Sequence, residues 1–116
     1  HPSTKSVRYP FRLDHPQHNI AKKQMQGGGA IITASLKSDL KKTHSFCNNL
    51  RYFTMAESLG GVESLICHPA SMTHASVNAK TRDQLGINDT LVRFSVGCED
   101  LDDLSSDLTN ELNKLH

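Results

Sequence analysis

The sequence predicts an α/β fold in which short strands and amphipathic helices alternate through one mixed layer. Two observations carry this. Short β-branched runs, such as residues 30–37 and 90–96, alternate with segments of helical apolar spacing, and the last of these has leucines on one stripe from Leu101 to Leu115. Length is the third observation: 116 residues with 36% hydrophobic content supply one modest core, not two.

The elements follow in order. Residues 6–9 read as a strand, and His15-Pro16 precedes a helix in which Ile20, Ala21 and Met25 share a face, with proline in the first turn. Gly27-Gly28-Gly29 ends it, and the β-branched run 30–37 is a strand. Asp39 opens a second helix with Leu40, Thr43, Phe46, Cys47 and Leu50 as its apolar stripe. Residues 52–57 and 63–67 are two more strands around the turn-forming Gly60-Gly61, and a polar loop runs from Pro69 to Ser76. Asn78 caps a short helix that stops at Gly86, and Asn88-Asp89 turns the chain into a strand containing Arg93. The final helix begins near Glu99 or Asp100. Asp102 and Asp103 lie in its first turn and Lys114 at its end, both suited to the helix dipole, and Leu101, Leu104, Leu108, Leu112 and Leu115 form its buried stripe.

Composition narrows the partners. Thirteen basic against twelve acidic residues leave a net charge of +1, without the excess that nucleic-acid or membrane-lipid binding calls for. The longest apolar run, residues 30–34, is too short to span a bilayer, and no signal-peptide pattern opens the chain, so a soluble, cytoplasmic protein is expected. Cys47, Cys67 and Cys98 are odd in number and widely spaced, which argues against a disulfide framework or structural zinc. The chain starts at His1 without an initiator methionine and enters a strand within a few residues, as a domain cut from a longer protein would.

Alternation along residues 91–96 sends Val92, Phe94 and Val96 to one face and Leu91, Arg93 and Ser95 to the other. A guanidinium on that second face offers two parallel hydrogen bonds to a carboxylate or phosphate. A structural salt bridge or a solvated side chain satisfies the same pattern. His15 and His18 have metal-compatible spacing, but the adjoining helix start and lysines suit a solvated surface equally well, and no metal site is expected. Gly27–Gly29 precede a strand, whereas a phosphate loop leads into a helix, so a tight turn is expected. His68 and His74 have no identifiable serine or cysteine partner in the linear sequence, and no hydrolase site is visible.

Residues 53–76, Phe-Thr-Met-Ala-Glu-Ser-Leu-Gly-Gly-Val-Glu-Ser-Leu-Ile-Cys-His-Pro-Ala-Ser-Met-Thr-His-Ala-Ser, closely resemble the small-domain signature of the Cys/Met-metabolism family of pyridoxal-phosphate (PLP) enzymes. That family includes cystathionine γ-synthases, γ-lyases and β-lyases and homoserine sulfhydrylases. Val-Arg-Tyr-Pro and His-Pro-Gln-His-Asn-Ile-Ala-Lys-Lys-Gln-Met resemble its domain opening. Leu-Gly-Ile-Asn-Asp-Thr-Leu-Val-Arg-Phe-Ser-Val-Gly-Cys-Glu-Asp resembles its closing strand and helix, so nearly the whole chain is covered. Phe11-Arg12 stands where Gly-Leu is common, and Gly28 and Ala30 replace the usual aromatic and glycine, departures that touch loops and packing.

The resemblance implies the C-terminal domain of a fold-type I PLP enzyme: a two-layer α+β sandwich with a small mixed, largely antiparallel sheet and helices on one face. It implies one substrate-covering domain over residues 1–116, and the large domain that holds the cofactor through a lysine has no counterpart here. No catalytic residue is therefore expected in this chain, no PLP bound to it alone and no activity on its own. The intact enzyme is expected to bind PLP and an amino-acid substrate and to be a homotetramer. By resemblance, Arg93 clamps the substrate α-carboxylate with help from Ser58, and Glu57 marks the γ-acting branch, favouring γ-elimination or γ-replacement on homoserine esters or cystathionine. A β-lyase or sulfhydrylase of the same family, or a stand-alone αβ binding or interaction module that keeps the clamp, is the alternative.

Overall fold

The structure, a computed structural model, describes residues 1–115. Its elements run β1 (Thr4–Arg8), α1 (His18–Gln24), β2 (Ile31–Leu36), α2 (Leu40–Asn49), β3 (Thr54–Met55), β4 (Leu65–Cys67), α3 (Ala79–Gln84), β5 (Leu91–Ser95) and α4 (Leu101–Asn113). The strands form one sheet in the order β1-β2-β5-β4-β3. All neighbours are antiparallel except β3 and β4, which makes the sheet mixed and largely antiparallel as expected. Among the described residues no helix is long and apolar enough to cross a membrane.

Three helix starts follow from local chemistry, because a short acceptor side chain satisfies amides that the first turn leaves free. Asp39 accepts from Lys42 N at 2.8 Å, Asn78 from Thr81 N at 2.8 Å, and Asp100 from Asp102 N and Asp103 N at 2.9 and 3.1 Å. Period-two alternation then sorts the central strands. Ala34, Leu36, Ile66, Val92 and Phe94 form one face and bury against Phe46, Cys47 and Leu50 of α2 and Leu104 of α4. Leu108, Leu112 and Val96 pack on the same cluster, and Phe94 meets Phe46 and Phe53 edge to face.

Several expectations are corrected. The strands expected over 52–57 and 63–67 shrink to Thr54–Met55 and Leu65–Cys67, because the flanking amides bond elsewhere. Tyr52 N donates to the Asp107 carboxylate at 3.0 Å and Ser64 N to Glu99 at 2.9 Å, which removes both from any ladder. Leu101 and Leu40 do not belong to the buried stripes: they are 74% and 46% exposed, since each lies in a first turn that begins outside the core. In α1 only Ala21 is buried, while Ile20 and Met25 face solvent, because this short helix lies apart from the main core cluster. The departures at residues 11 and 12 lie in a loop and the one at residue 28 in packing. Lys22 Nζ sits 4.4 Å from the Phe11 ring centre, Arg12 pairs with Asp14 at 2.8 Å, and a Cβ on Gly28 would lie 2.4 Å from the Tyr9 ring.

Asp107 is a buried acid on the apolar side of α4, and its carboxylate accepts from Arg51 N at 2.9 Å as well as from Tyr52 N. It thereby caps the chain where it leaves α2. His68 is fully buried at the end of β4. Its Nε2 faces the Asp89 carbonyl at 2.8 Å, and because a carbonyl only accepts, Nε2 carries the proton. Nδ1 of the neutral ring then accepts from the Ser71 hydroxyl at 2.6 Å, a serine partner that linear spacing did not reveal. His44 stacks edgewise on this ring, with centroids 4.7 Å apart. Burial holds the His68 pKa below its ordinary 6.5, and the nearby His44 and Arg82 act in the same direction.

Two predictions come from these buried groups. Replacing Asp107 with Ala strands two backbone amides and is expected to cost about 1–3 kcal/mol in urea unfolding; an unchanged midpoint would show that water replaces the carboxylate. For His68 the folded pKa is the lower one, so its contribution to stability is complete above the unfolded pKa and is lost as pH falls through that value toward the folded one. Urea midpoints measured from about pH 7 to about pH 5 are expected to fall in the wild type and to fall less in His68→Gln. Parallel slopes would refute the assignment.

Candidate functional site

The sheet face opposite α2 and α4 is polar along one row, and the end of α3 borders it. Arg8 of β1, Thr33 of β2, Arg93 of β5 and Cys67 of β4 stand in register across four strands. Central-strand alternation therefore directs Arg93 away from the apolar layer, as its sequence position predicts. A groove of about 420 Å³ on this face runs from Lys5 and Arg8 past Thr33 to Gly86, and Arg93 is not part of its wall.

Arg93 is half-buried and forms no ion pair among the described residues. Its Nη2 donates to the carbonyl oxygens of Glu57 at 2.8 Å and Ser58 at 3.4 Å. Nε is buried and has no hydrogen-bond partner among the described residues. The guanidinium is thus steered by main-chain acceptors, while a buried donor is left unsatisfied. A positive charge held in this way keeps its full charge for an incoming anion, because no carboxylate neutralises it. The structure brings together all three residues singled out from sequence, but through carbonyls: the Glu57 and Ser58 residues are exposed.

The segment carrying those carbonyls, residues 57–64, joins β3 to β4 and is bound to the end of β5 by bonds that sequence reasoning missed. Gly60 N donates to Ser95 Oγ at 2.8 Å, and Cys98 N donates to the Val62 carbonyl at 2.8 Å. Ser64 donates to Glu99 from both its amide (2.9 Å) and its hydroxyl (2.8 Å) and accepts from Gly97 N at 2.8 Å. The two bonds from Ser64 hold the Glu99 pKa below its usual carboxylate value. Gly97 is required by this close approach, because a Cβ there would lie 2.3 Å from the Val62 carbonyl oxygen.

The other candidates remain local. His15 Nδ1 accepts from Gln17 N at 3.1 Å and His18 Nδ1 lies 3.2 Å from the Pro10 carbonyl, so each imidazole serves its own turn. Among the described residues no three His, Cys, Asp or Glu side chains converge on a possible metal. Gly27–Gly29 lead into β2, and Gly29 adopts a positive φ of 82°. Every lysine among the described residues is exposed.

Comparison with known proteins agrees with this architecture. The family described as Cys/Met metabolism PLP-dependent enzyme matches residues 1–113. A cystathionine gamma-lyase of Dictyostelium discoideum is 50% identical over 98% of this chain, and a cystathionine beta-lyase of Coxiella burnetii is 54% identical over 93% of it. The match covers 30% and 28% of those relatives, so the chain spans less than a third of their length. Among solved structures, cystathionine gamma synthase from Xanthomonas oryzae pv. oryzae in complex with cystathionine superposes with a TM-score of 0.91 and 45% identity, over 99% of this chain and 30% of that one. With the family pattern covering nearly every residue and the same fold recovered at this identity, the chain belongs to the Cys/Met-metabolism family of PLP-dependent enzymes.

Proposed function

We propose that residues 1–116 form the C-terminal, substrate-covering domain of a PLP-dependent transsulfuration enzyme that acts by γ-replacement or γ-elimination on homoserine esters or cystathionine. In this reading Arg93 holds the α-carboxylate of the amino-acid substrate, Ser58 assists, and a cofactor-binding domain beyond these residues supplies the lysine and PLP. The intact enzyme is a homotetramer. The observation that carries the reading is the state of Arg93: a guanidinium without a carboxylate partner, oriented by the Glu57 and Ser58 carbonyls and keeping a buried, unsatisfied Nε.

The physical role is orientation. Fixing the carboxylate fixes the rotation of the substrate about its Cα, and therefore which Cα bond is presented for cleavage. Arginine suits this because its planar fork matches a carboxylate, whereas lysine offers a point charge. Relatives of nearly equal identity are named gamma-lyase and beta-lyase, so the preference for γ chemistry rests on Glu57.

In the full-length protein, Arg93→Ala is expected to reduce kcat/KM by an amount equivalent to about 2–5 kcal/mol, the range for removing one partner of a buried charge pair. Near-normal efficiency with cystathionine and acylated homoserines would remove the clamp. For the isolated chain, titration with PLP is expected to give no lysine-specific absorbance change and no lyase activity. Saturable binding at one lysine would contradict the division of labour proposed for the two domains.

A further inference from the structure

One loop is bonded along its length to one strand and its extension, the bond from Cys98 N to the Val62 carbonyl included. Arg93, Ser95, Gly97 and Glu99 all bond to residues 57–64: Arg93 to the carbonyls of Glu57 and Ser58, Ser95 to Gly60 N, Gly97 to Ser64 Oγ, and Glu99 to Ser64 N and Oγ. Period two places Arg93 and Ser95 on the same side of β5, and the chain that follows, which bends at residues 98–99, brings Gly97 and Glu99 to the same loop. The loop has little else to hold it. Leu59 and Val62 are 54% and 79% exposed, and Gly60 takes a positive φ of 77°. Its shape is therefore set by polar bonds more than by packing, and the strongest of these are shielded or charged: Ser95 is 1% exposed and Glu99 accepts twice.

We propose that Ser95 and Glu99 are positioning residues for the substrate anchor: they hold loop 57–64 so that the Glu57 and Ser58 carbonyls occupy one nitrogen of the Arg93 guanidinium and leave the rest of its fork aimed at the substrate carboxylate. This rests on the assignment of Arg93 as that anchor. Neither residue touches substrate in this scheme. Ser95 acts through the Gly60 amide and Glu99 through Ser64, so the loop carbonyls transmit the effect of both to Arg93. Loss of the Ser95 hydroxyl removes the protein acceptor of the Gly60 amide; at this exposed residue water takes its place, so the loop is no longer tied to β5 there and is free to move away from Arg93.

The test is a double-mutant cycle on the full-length protein with cystathionine as substrate. Ser95→Ala is expected to lower kcat/KM about tenfold, with KM raised where carboxylate binding is weakened and kcat lowered where its orientation is lost. In the Arg93→Ala background the same substitution is expected to change kcat/KM by less than about twofold, because the group it positions is gone. Equal factors in the two backgrounds would mean that Ser95 acts only on general stability and would overturn the proposal. So would an unchanged kcat/KM for Ser95→Ala beside a strongly impaired Arg93→Ala, which would leave the anchor intact and remove the brace. A near-normal Arg93→Ala would overturn the anchor itself, and the brace with it. Glu99→Gln, at a half-exposed position, carries the same cycle should Ser95→Ala fail to fold, with the same coupling to Arg93 expected and additivity again overturning the proposal.

Discussion

The fold turns on one attachment, the lashing of the 57–64 loop to the end of β5. It sets the start of β4, because Ser64, the residue before it, gives its amide and hydroxyl to Glu99 while its carbonyl accepts from Thr54 N of β3 at 3.1 Å. The parallel β3–β4 pair is only two residues long in β3 and cannot hold the edge of the sheet by itself. Gly97 is part of the same constraint, since any side chain there would enter the backbone of Val62 and Glu63. A single strand thus anchors the centre of the sheet through its apolar face and the surface loop through its polar one.

Two carboxylates replace ladder hydrogen bonds in this domain. Asp107 collects the amides of Arg51 and Tyr52 where the chain leaves α2, and Glu99 collects the amide and hydroxyl of Ser64 where the chain enters β4. Each sits where the backbone must turn away from regular pairing, and a buried amide without an acceptor costs about 1–3 kcal/mol. An ionised acceptor is well suited to such a position because charge-assisted bonds are short and strong. The effect appears in the depressed pKa of Glu99, whose largest causes are the two bonds from Ser64.

The polar row across the sheet explains how a charged residue occupies a central strand. Arg93 lies between β2 and β4, with Thr33 and Cys67 beside it, while its neighbours Val92 and Phe94 face the core. The strand therefore serves two environments at once. One face buries against α2 and α4, and the other presents a guanidinium held by backbone carbonyls. In the proposed enzyme this half of the site would meet a cofactor-bearing half that lies outside the chain, in keeping with its match to less than a third of its relatives' length.

Most of the local architecture was legible from sequence alone. Asp39, Asn78 and Asp100 announce their helices because each cap bonds to amides two or three residues away, and alternation in Leu91–Ser95 assigns its faces because a strand repeats every two residues. The family signature likewise pointed to Glu57, Ser58 and Arg93 before their contact was known. Tertiary structure alone decided what binds what. Asp107 reaches back 56 residues to Arg51, and Ser95 and Glu99 each reach back 35 to the loop, distances over which no periodicity links an acceptor to its donor. It also decided that Leu40 and Leu101 stay outside while Asp107 goes in. Helical spacing names a stripe, but only the docked partner determines where along that stripe burial begins and which backbone amides wait there for an acid.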